Sequence, residues 1–300
     1  MKVVFLGTPD FAVPSLDALH EKYGVSAVIC QPDKAKNRKG EIIFGAVKQR
    51  AIDLGIPVYQ FNKIREEGVQ ILKELAPDIM ITCAYGQILS QEILDIPKYG
   101  ILNVHGSLLP KYRGSAPIQW SIIDGEEKTG VTIMKTAIGM DTGDMVSACE
   151  VKIEDDMYLE DLYNVLKTKG AQLLIDTIDE YVSGKIVPVP QNEDEASKCR
   201  MITKEDAKID FCACAKDIRN KIRGLGYGYF LYNNEPVKVY KAEIGSGKGV
   251  SGKILSHSKE GVEIACKDAS VLFTELQMPG KKRMGAKDFI NGVKMSGEVL

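Results

Sequence analysis

The stretch Asp78-Ile79-Met80-Ile81-Thr82-Cys83-Ala84 decides the fold class. It has no wet face, which is the pattern of a strand buried on both sides inside a parallel sheet. Val25-Ser26-Ala27-Val28-Ile29-Cys30 has the same character. Outward from these two, Lys2 to Leu6, Ile101 to Val104 and Val131 to Lys135 are further candidate strands. Helical patterns at Phe11 to Tyr23, Ala46 to Leu54, Glu66 to Leu75 and Ser115 to Ile123 lie between them. Strands alternating with helices specify an α/β fold, a Rossmann-like, doubly wound, mostly parallel sheet covered by helices.

From Leu159 to Tyr181, Leu162, Val165, Leu166, Leu173, Leu174 and Ile178 recur at spacings of three and four, which predicts one long helix stopped by Gly184. Lys185 to Met201 is rich in Pro, Gln, Asn and acidic residues and reads as an extended linker. We therefore expect a first domain over residues 1–189, a linker over 190–205 and a second domain over 206–300. The last hundred residues hold one short helix pattern, Ala213 to Arg223. Short glycine-punctuated strands follow at Val237 to Tyr240, Gly252 to Ser256, Gly261 to Cys266 and Val271 to Leu276. That pattern suggests a small OB-like β-barrel.

Three hundred residues, 44% hydrophobic and 27% charged, exclude a disordered chain and suffice for two cores. The net charge of -2 argues, taken whole, against a generic polyanion binder. Its distribution argues otherwise: residues 1–200 carry 22 basic and 29 acidic side chains, residues 201–300 carry 17 and 12. A basic small barrel is a plausible nucleic-acid platform. The N-terminal apolar run is too short for a signal segment, and no run approaches the roughly 18 residues of a spanning helix, so a cytoplasmic location without a membrane partner is expected. Seven scattered cysteines form no disulfide framework, and three histidines without ligand spacing point to chemistry without a metal.

Four segments bear on the chemistry. The turn Gly7-Thr8-Pro9-Asp10 lacks the later glycines that a dinucleotide turn requires, which disfavours a nicotinamide enzyme. In Ile101-Leu102-Asn103-Val104-His105-Gly106, the period of two puts Asn103 and His105 on one face at the strand's C-terminal end, where open α/β sheets hold ligands. Gly139-Met140-Asp141-Thr142-Gly143-Asp144 is a glycine-bracketed loop whose carboxylates could orient His105, and spacing does not choose between Asp141 and Asp144. The run from Lys34 to Lys39 holds Lys34, Lys36, Arg38 and Lys39 in a loop suited to phosphate contacts.

Asn103-Val104-His105-Gly106-Ser107-Leu108-Leu109-Pro110, Tyr112-Arg113-Gly114, Ala116-Pro117-Ile118-Gln119, Gly130-Val131-Thr132 and Gly139-Met140-Asp141-Thr142-Gly143-Asp144-Met145 resemble the 10-formyltetrahydrofolate-dependent formyltransferases. The opening Val4 to Ala12, the phrase Pro190-Gln191 and the run Leu276 to Met284 are similar to the branch that formylates methionyl initiator tRNA. The resemblance implies catalysis by Asn103, His105 and Asp141, with Asn103 and His105 stabilising charge on the formyl oxygen and Asp141 holding His105. It implies a folate pocket built from Tyr85, Gly86, Gln87, Ile88 and Leu89, closed by Ser107, Leu108, Leu109, Pro110 and Asp144. It also implies tRNA contacts from Lys34, Lys36, Arg38, Lys39, Lys281, Lys282 and Arg283. A monomer binding folate and initiator tRNA, but not DNA, is the corresponding expectation. The alternatives are formylation of a small amine such as a nucleotide-linked sugar, or tRNA binding without catalysis.

Overall fold

The computed structural model describes residues 1–33, 35–36 and 42–299, the side chains of 35 and 36 excepted. Two compact units interleave along the chain. One comprises Met1–Gly114, Thr129–Lys152 and Tyr163–Cys199; the other comprises Ser115–Lys128, Ile153–Leu162 and Arg200–Leu300.

The first unit opens with β1 (Val3–Gly7), a short 3-10 turn, α1 (Val13–Tyr23) and β2 (Val25–Cys30). Then come β3 (Ala35–Lys36), β4 (Ile42–Ile43), α2 (Ala46–Asp53), β5 (Val58–Gln60), α3 (Ile64–Glu67), α4 (Val69–Leu75) and β6 (Ile79–Cys83). The chain continues through α5 (Gln91–Leu94), β7 (Ile101–His105), β8 (Arg113–Gly114), α6 (Pro117–Ile123), β9 (Lys128–Lys135), β10 (Met145–Lys152), α7 (Leu159–Val182) and β11 (Lys198–Cys199). The main sheet runs β10-β9-β7-β6-β1-β2-β5. Its neighbours from β7 to β5 are parallel, whereas β9 is antiparallel to β7, so Val131 to Lys135 does not extend the parallel run.

All five residues of β1 and of β6 are buried, as their continuous apolar sequences require. The chain order reverses between β1 and β6, which opens a crevice at the C-terminal ends of these strands. Gly7 ends β1 there. A Cβ at this position would lie 2.8 Å from the Phe5 ring and 2.9 Å from the Ala12 Cβ, so close packing demands glycine. Val4, Leu6, Ala27, Ile29 and Met80 pack with Ile64, Leu72 and Ile93 in one core. Where one helix was expected over Glu66 to Leu75, the chain forms α3 and α4 with Gly68 between them; the Gly68 amide donates to the Ile64 carbonyl at 2.8 Å.

In the second unit, α8 (Ala215–Leu225) precedes β12 (Gly228–Tyr232), β13 (Glu235–Gly245), β14 (Ile254–His257), β15 (Val262–Ala265), β16 (Ser270–Gln277), β17 (Met284–Gly285) and α9 (Ala286–Gly292). The strands form a curled antiparallel sheet in the order β12-β13-β16-β15-β14, with β17 on β16. Register shifts near Lys241 in β13 supply local bending. Phe230 and Phe273 stack at 5.7 Å in its core. The helix α6 belongs to this unit, and a Cβ on Gly224 of α8 would sit 2.8 Å from the Gln119 carbonyl oxygen, so the two helices approach without an intervening side chain. Sequence patterning missed β5, β10, β12 and α9 as well as the short β3, β4, β8, β11, β17 and α5; β10, Met-Val-Ser-Ala-Cys-Glu-Val-Lys, is an edge strand with polar residues through its middle.

Candidate active site

The strand β7 brings Asn103 and His105 to the C-terminal edge of the sheet, beside the end of β6. Asn103 is half-buried and pairs in register with Thr82, whose hydroxyl donates to Asn103 Oδ1 at 2.9 Å. That bond fixes the amide's orientation and leaves Nδ2 without a hydrogen-bond partner among the described residues. A fixed amide donor aimed from a strand end suits an oxygen that gains negative charge during a reaction.

His105 is buried, with 5% of its surface exposed, and its two ring nitrogens have different neighbours. Nε2 lies 3.0 Å from the Tyr112 carbonyl oxygen, which only accepts, so Nε2 carries the hydrogen. Nδ1 faces Asp141 Oδ1 at 3.7 Å. In the neutral ring Nδ1 is therefore a lone pair, and the single N–H is already committed. This differs from the expectation that His105 shares with Asn103 the stabilisation of an oxygen. The geometry equips His105 to take up a proton at Nδ1, where the imidazolium would meet the Asp141 carboxylate.

Asp141 sits in the left-handed backbone region at φ 54°. Its Oδ2 accepts from the Gly114 amide at 2.9 Å. Of the two carboxylates that spacing left open, Asp141 lies beside His105, whereas Asp144 offers its backbone carbonyl to the Lys135 amide. Gly114 itself is obligatory, since at its φ of 129° a Cβ would lie 2.0 Å from the Cys199 carbonyl oxygen.

The segment after β6 leaves at the same edge. Gly86 and Ile88 are exposed, whereas Tyr85 and Leu89 turn into the core below. The Tyr85 hydroxyl is buried without a partner, and burial pushes its phenol well above the ordinary range. Gln87 anchors the loop by accepting from the Ile64 amide and donating to the Phe61 carbonyl and Gln31 Oε1. Among the residues expected to close the pocket, Leu108 is half-buried, and Ser107, Leu109 and Pro110 are buried. The Ser107 hydroxyl donates to the Lys111 carbonyl, and Thr132 ties the turn together through the Ser107 carbonyl and the Leu109 amide. Those side chains serve the turn.

Of the candidate basic residues, Lys34, Arg38 and Lys39 lie outside the described residues, and Lys36 is described only as backbone in β3. Lys281, Lys282 and Arg283 are exposed in the second unit. Arg283 is engaged there, paired with Glu275 and stacked over Tyr240 at 4.2 Å to the ring centre. Spacing and periodicity singled out none of Thr82, Tyr112, Gly114 and Gln191 for contacts with the site, although the last three lie in phrases that carry the family resemblance. Each acts through a hydrogen bond that only the folded chain creates.

The formyl transferase family model matches residues 1–178, and its C-terminal domain model matches residues 201–294. The chain belongs to the formyl transferase family. It is 44% identical to the methionyl-tRNA formyltransferase of Clostridium acetobutylicum over all of this chain and 99% of that protein. It is 42% identical to the Clostridium novyi protein of the same name over 97% of each. The formyl transferase fold also recurs in the N-formyltransferase from Helicobacter canadensis, solved with folinic acid and dTDP-3-aminofucose. That structure has a TM-score of 0.71 at 21% identity, covering 93% of this chain and 99% of that one. The sugar 3N-formyl transferase WlaRD, solved with dTDP and 5-N-formyl-THF, gives 0.70 at 20% identity over 94% and 99%. No helix among the described residues is long and apolar enough to cross a membrane, and no cluster of His, Cys, Asp or Glu among them could hold a metal.

Proposed function

We propose that this chain transfers the formyl group of 10-formyltetrahydrofolate to the α-amine of methionine esterified to initiator tRNA. The observation that carries the reading is the meeting of Asn103, His105 and Asp141 at one sheet edge, in a chain colinear with methionyl-tRNA formyltransferases over its full length. The bond between the amine nitrogen and the formyl carbon forms, and the bond from that carbon to the folate nitrogen breaks. One proton passes from the amine to the departing nitrogen.

Asn103 donates from Nδ2 to the formyl oxygen as charge develops there. His105 holds the travelling proton at Nδ1, and Asp141 stabilises the imidazolium while the Tyr112 carbonyl keeps the ring from rotating. The exposed backbone at Gly86 to Ile88 offers donors and acceptors to the flat ring system of a folate beside this edge. The folate is a substrate of this reaction, consumed as its formyl group leaves. In this reading residues 1–189 carry the chemistry, 190–205 connect, and 206–300 contact tRNA through Lys281 and Lys282, with Lys34, Lys36, Arg38 and Lys39 as further phosphate contacts.

A sugar-amine acceptor is the second reading, raised by the fold shared with the sugar 3N-formyl transferase WlaRD and with an N-formyltransferase solved with dTDP-3-aminofucose. Formyl transfer measured side by side with charged initiator tRNA, free methionine and a nucleotide-linked amino sugar separates them. Preferential formylation of the charged tRNA is expected; a higher kcat/KM with the amino sugar overturns the tRNA assignment.

A further inference from the structure

The segment after α7 does more than connect. Gln191 is buried, with 8% of its surface exposed, and its amide is fully used. Nε2 donates to the Asp141 carbonyl at 2.8 Å and to the Gly143 carbonyl at 2.7 Å, and Oε1 accepts from Arg113 Nε at 2.8 Å. Arg113 is itself buried and makes a two-pronged pair with Glu193 at 2.8 and 2.9 Å. The next residue, Gly114, donates its amide to the Asp141 carboxylate. Asp141 is thus gripped at both ends: at its side chain by Gly114 and at its carbonyl by Gln191, with Arg113 closing the ring. A non-glycine residue in the left-handed region persists only where its surroundings over-determine it. Gln191 supplies two such constraints on the backbone of this loop, at the Asp141 and Gly143 carbonyls.

We propose that Gln191 is a positioning residue that sets the Asp141 carboxylate against His105 Nδ1, so that the rate of the chemical step depends on a side chain that touches neither substrate. The proposal rests on the reading of Asp141 as catalytic. Because the Gln191 amide is spent on Arg113, Asp141 and Gly143, positioning separates from binding: displacing Asp141 by a fraction of an ångström should slow chemistry and leave both substrates' affinities alone.

The test is steady-state formyl transfer by the full-length protein carrying Gln191→Met or Gln191→Glu, alone and combined with Asp141→Asn. Gln191→Glu keeps the acceptor for Arg113 and loses both donors, so it carries the test should Gln191→Met fail to fold. The expected result is a fall in kcat on the order of 100-fold. KM for folate and for tRNA should stay within about twofold, and the Gln191 substitution should have little further effect in the Asp141→Asn background. Full additivity of the two substitutions, or a rise in KM at unchanged kcat, overturns the positioning role while leaving Asp141 catalytic. An Asp141→Asn variant with unchanged kcat overturns the catalytic reading and the positioning role together.

Discussion

Asn103 illustrates how far one residue's environment reaches into function: a single hydroxyl, Thr82, decides which end of its amide faces out. Asn103→Ala removes the donor, and single-turnover formyl transfer should slow by about 100- to 1,000-fold in a correctly folded protein. A near-native rate would remove Asn103 from the mechanism. Asn103 and His105 were legible in the sequence because a strand's period of two is a strong constraint. Thr82 was not, since a threonine inside an apolar run looks like any other buried strand residue. His257 makes a second case. Its Nδ1 accepts from the Met295 amide at 3.2 Å, its Nε2 is buried without a partner, and burial lowers its pKa from the ordinary 6.5. The unfolded chain therefore takes up the proton first as pH falls. Stability contributed by His257 is complete above the ordinary histidine range and declines below it until the folded ring also protonates. Denaturation midpoints from neutral pH down to about pH 5 should fall more steeply for the native protein than for His257→Gln, a titration range set by histidine chemistry. Parallel curves would remove this contribution.

At the level of elements, the two-residue pairing of β8 with β11 does the work that a longer strand does elsewhere. Lys198 pairs with Arg113 and Cys199 with Gly114, while Ser197 accepts from the Tyr112 amide and donates its own amide to the Pro110 carbonyl. Gly114→Ala places a methyl against the Cys199 carbonyl and forces a left-handed conformation, which should cost about 1–3 kcal/mol. A lowered Tm with reduced formyl transfer is expected, and an unchanged melting curve would show that the pairing is dispensable. This pairing was invisible from patterning because residues 190–199 have the composition of a solvated connection: Pro190, Gln191, Asn192, Glu193 and Asp194 give no periodicity. Parallel strands such as β1 and β6, buried on both faces, announce themselves; a strand of two residues whose role is hydrogen bonding does not.

For the whole molecule, the charge imbalance between the first two hundred residues and the last hundred is what the proposed division into a catalytic and a tRNA-binding part would use. Lys281→Ala and Lys282→Ala should each weaken tRNA binding and lower the slope of log affinity against log salt by about one. Arg283→Ala should change that slope less, because Glu275 already neutralises the guanidinium. Equal slopes for all three variants and the native protein would remove this face from the tRNA contact. The overall α/β then antiparallel order was legible in the spacing of apolar runs. The interleaving of the two units was not, since Ser115–Lys128 and Ile153–Leu162 carry no local mark of the unit they join. One consequence concerns the order in which the chain is made. The turn at Tyr112 to Gly114 meets its partners Gln191, Ser197 and Cys199 only after some eighty intervening residues. A nascent chain that has already threaded the whole parallel sheet out of the ribosome still lacks Gln191, which holds the Asp141 carbonyl. In the proposed function, catalytic competence therefore arrives late in synthesis, after the sheet that carries Asn103 and His105.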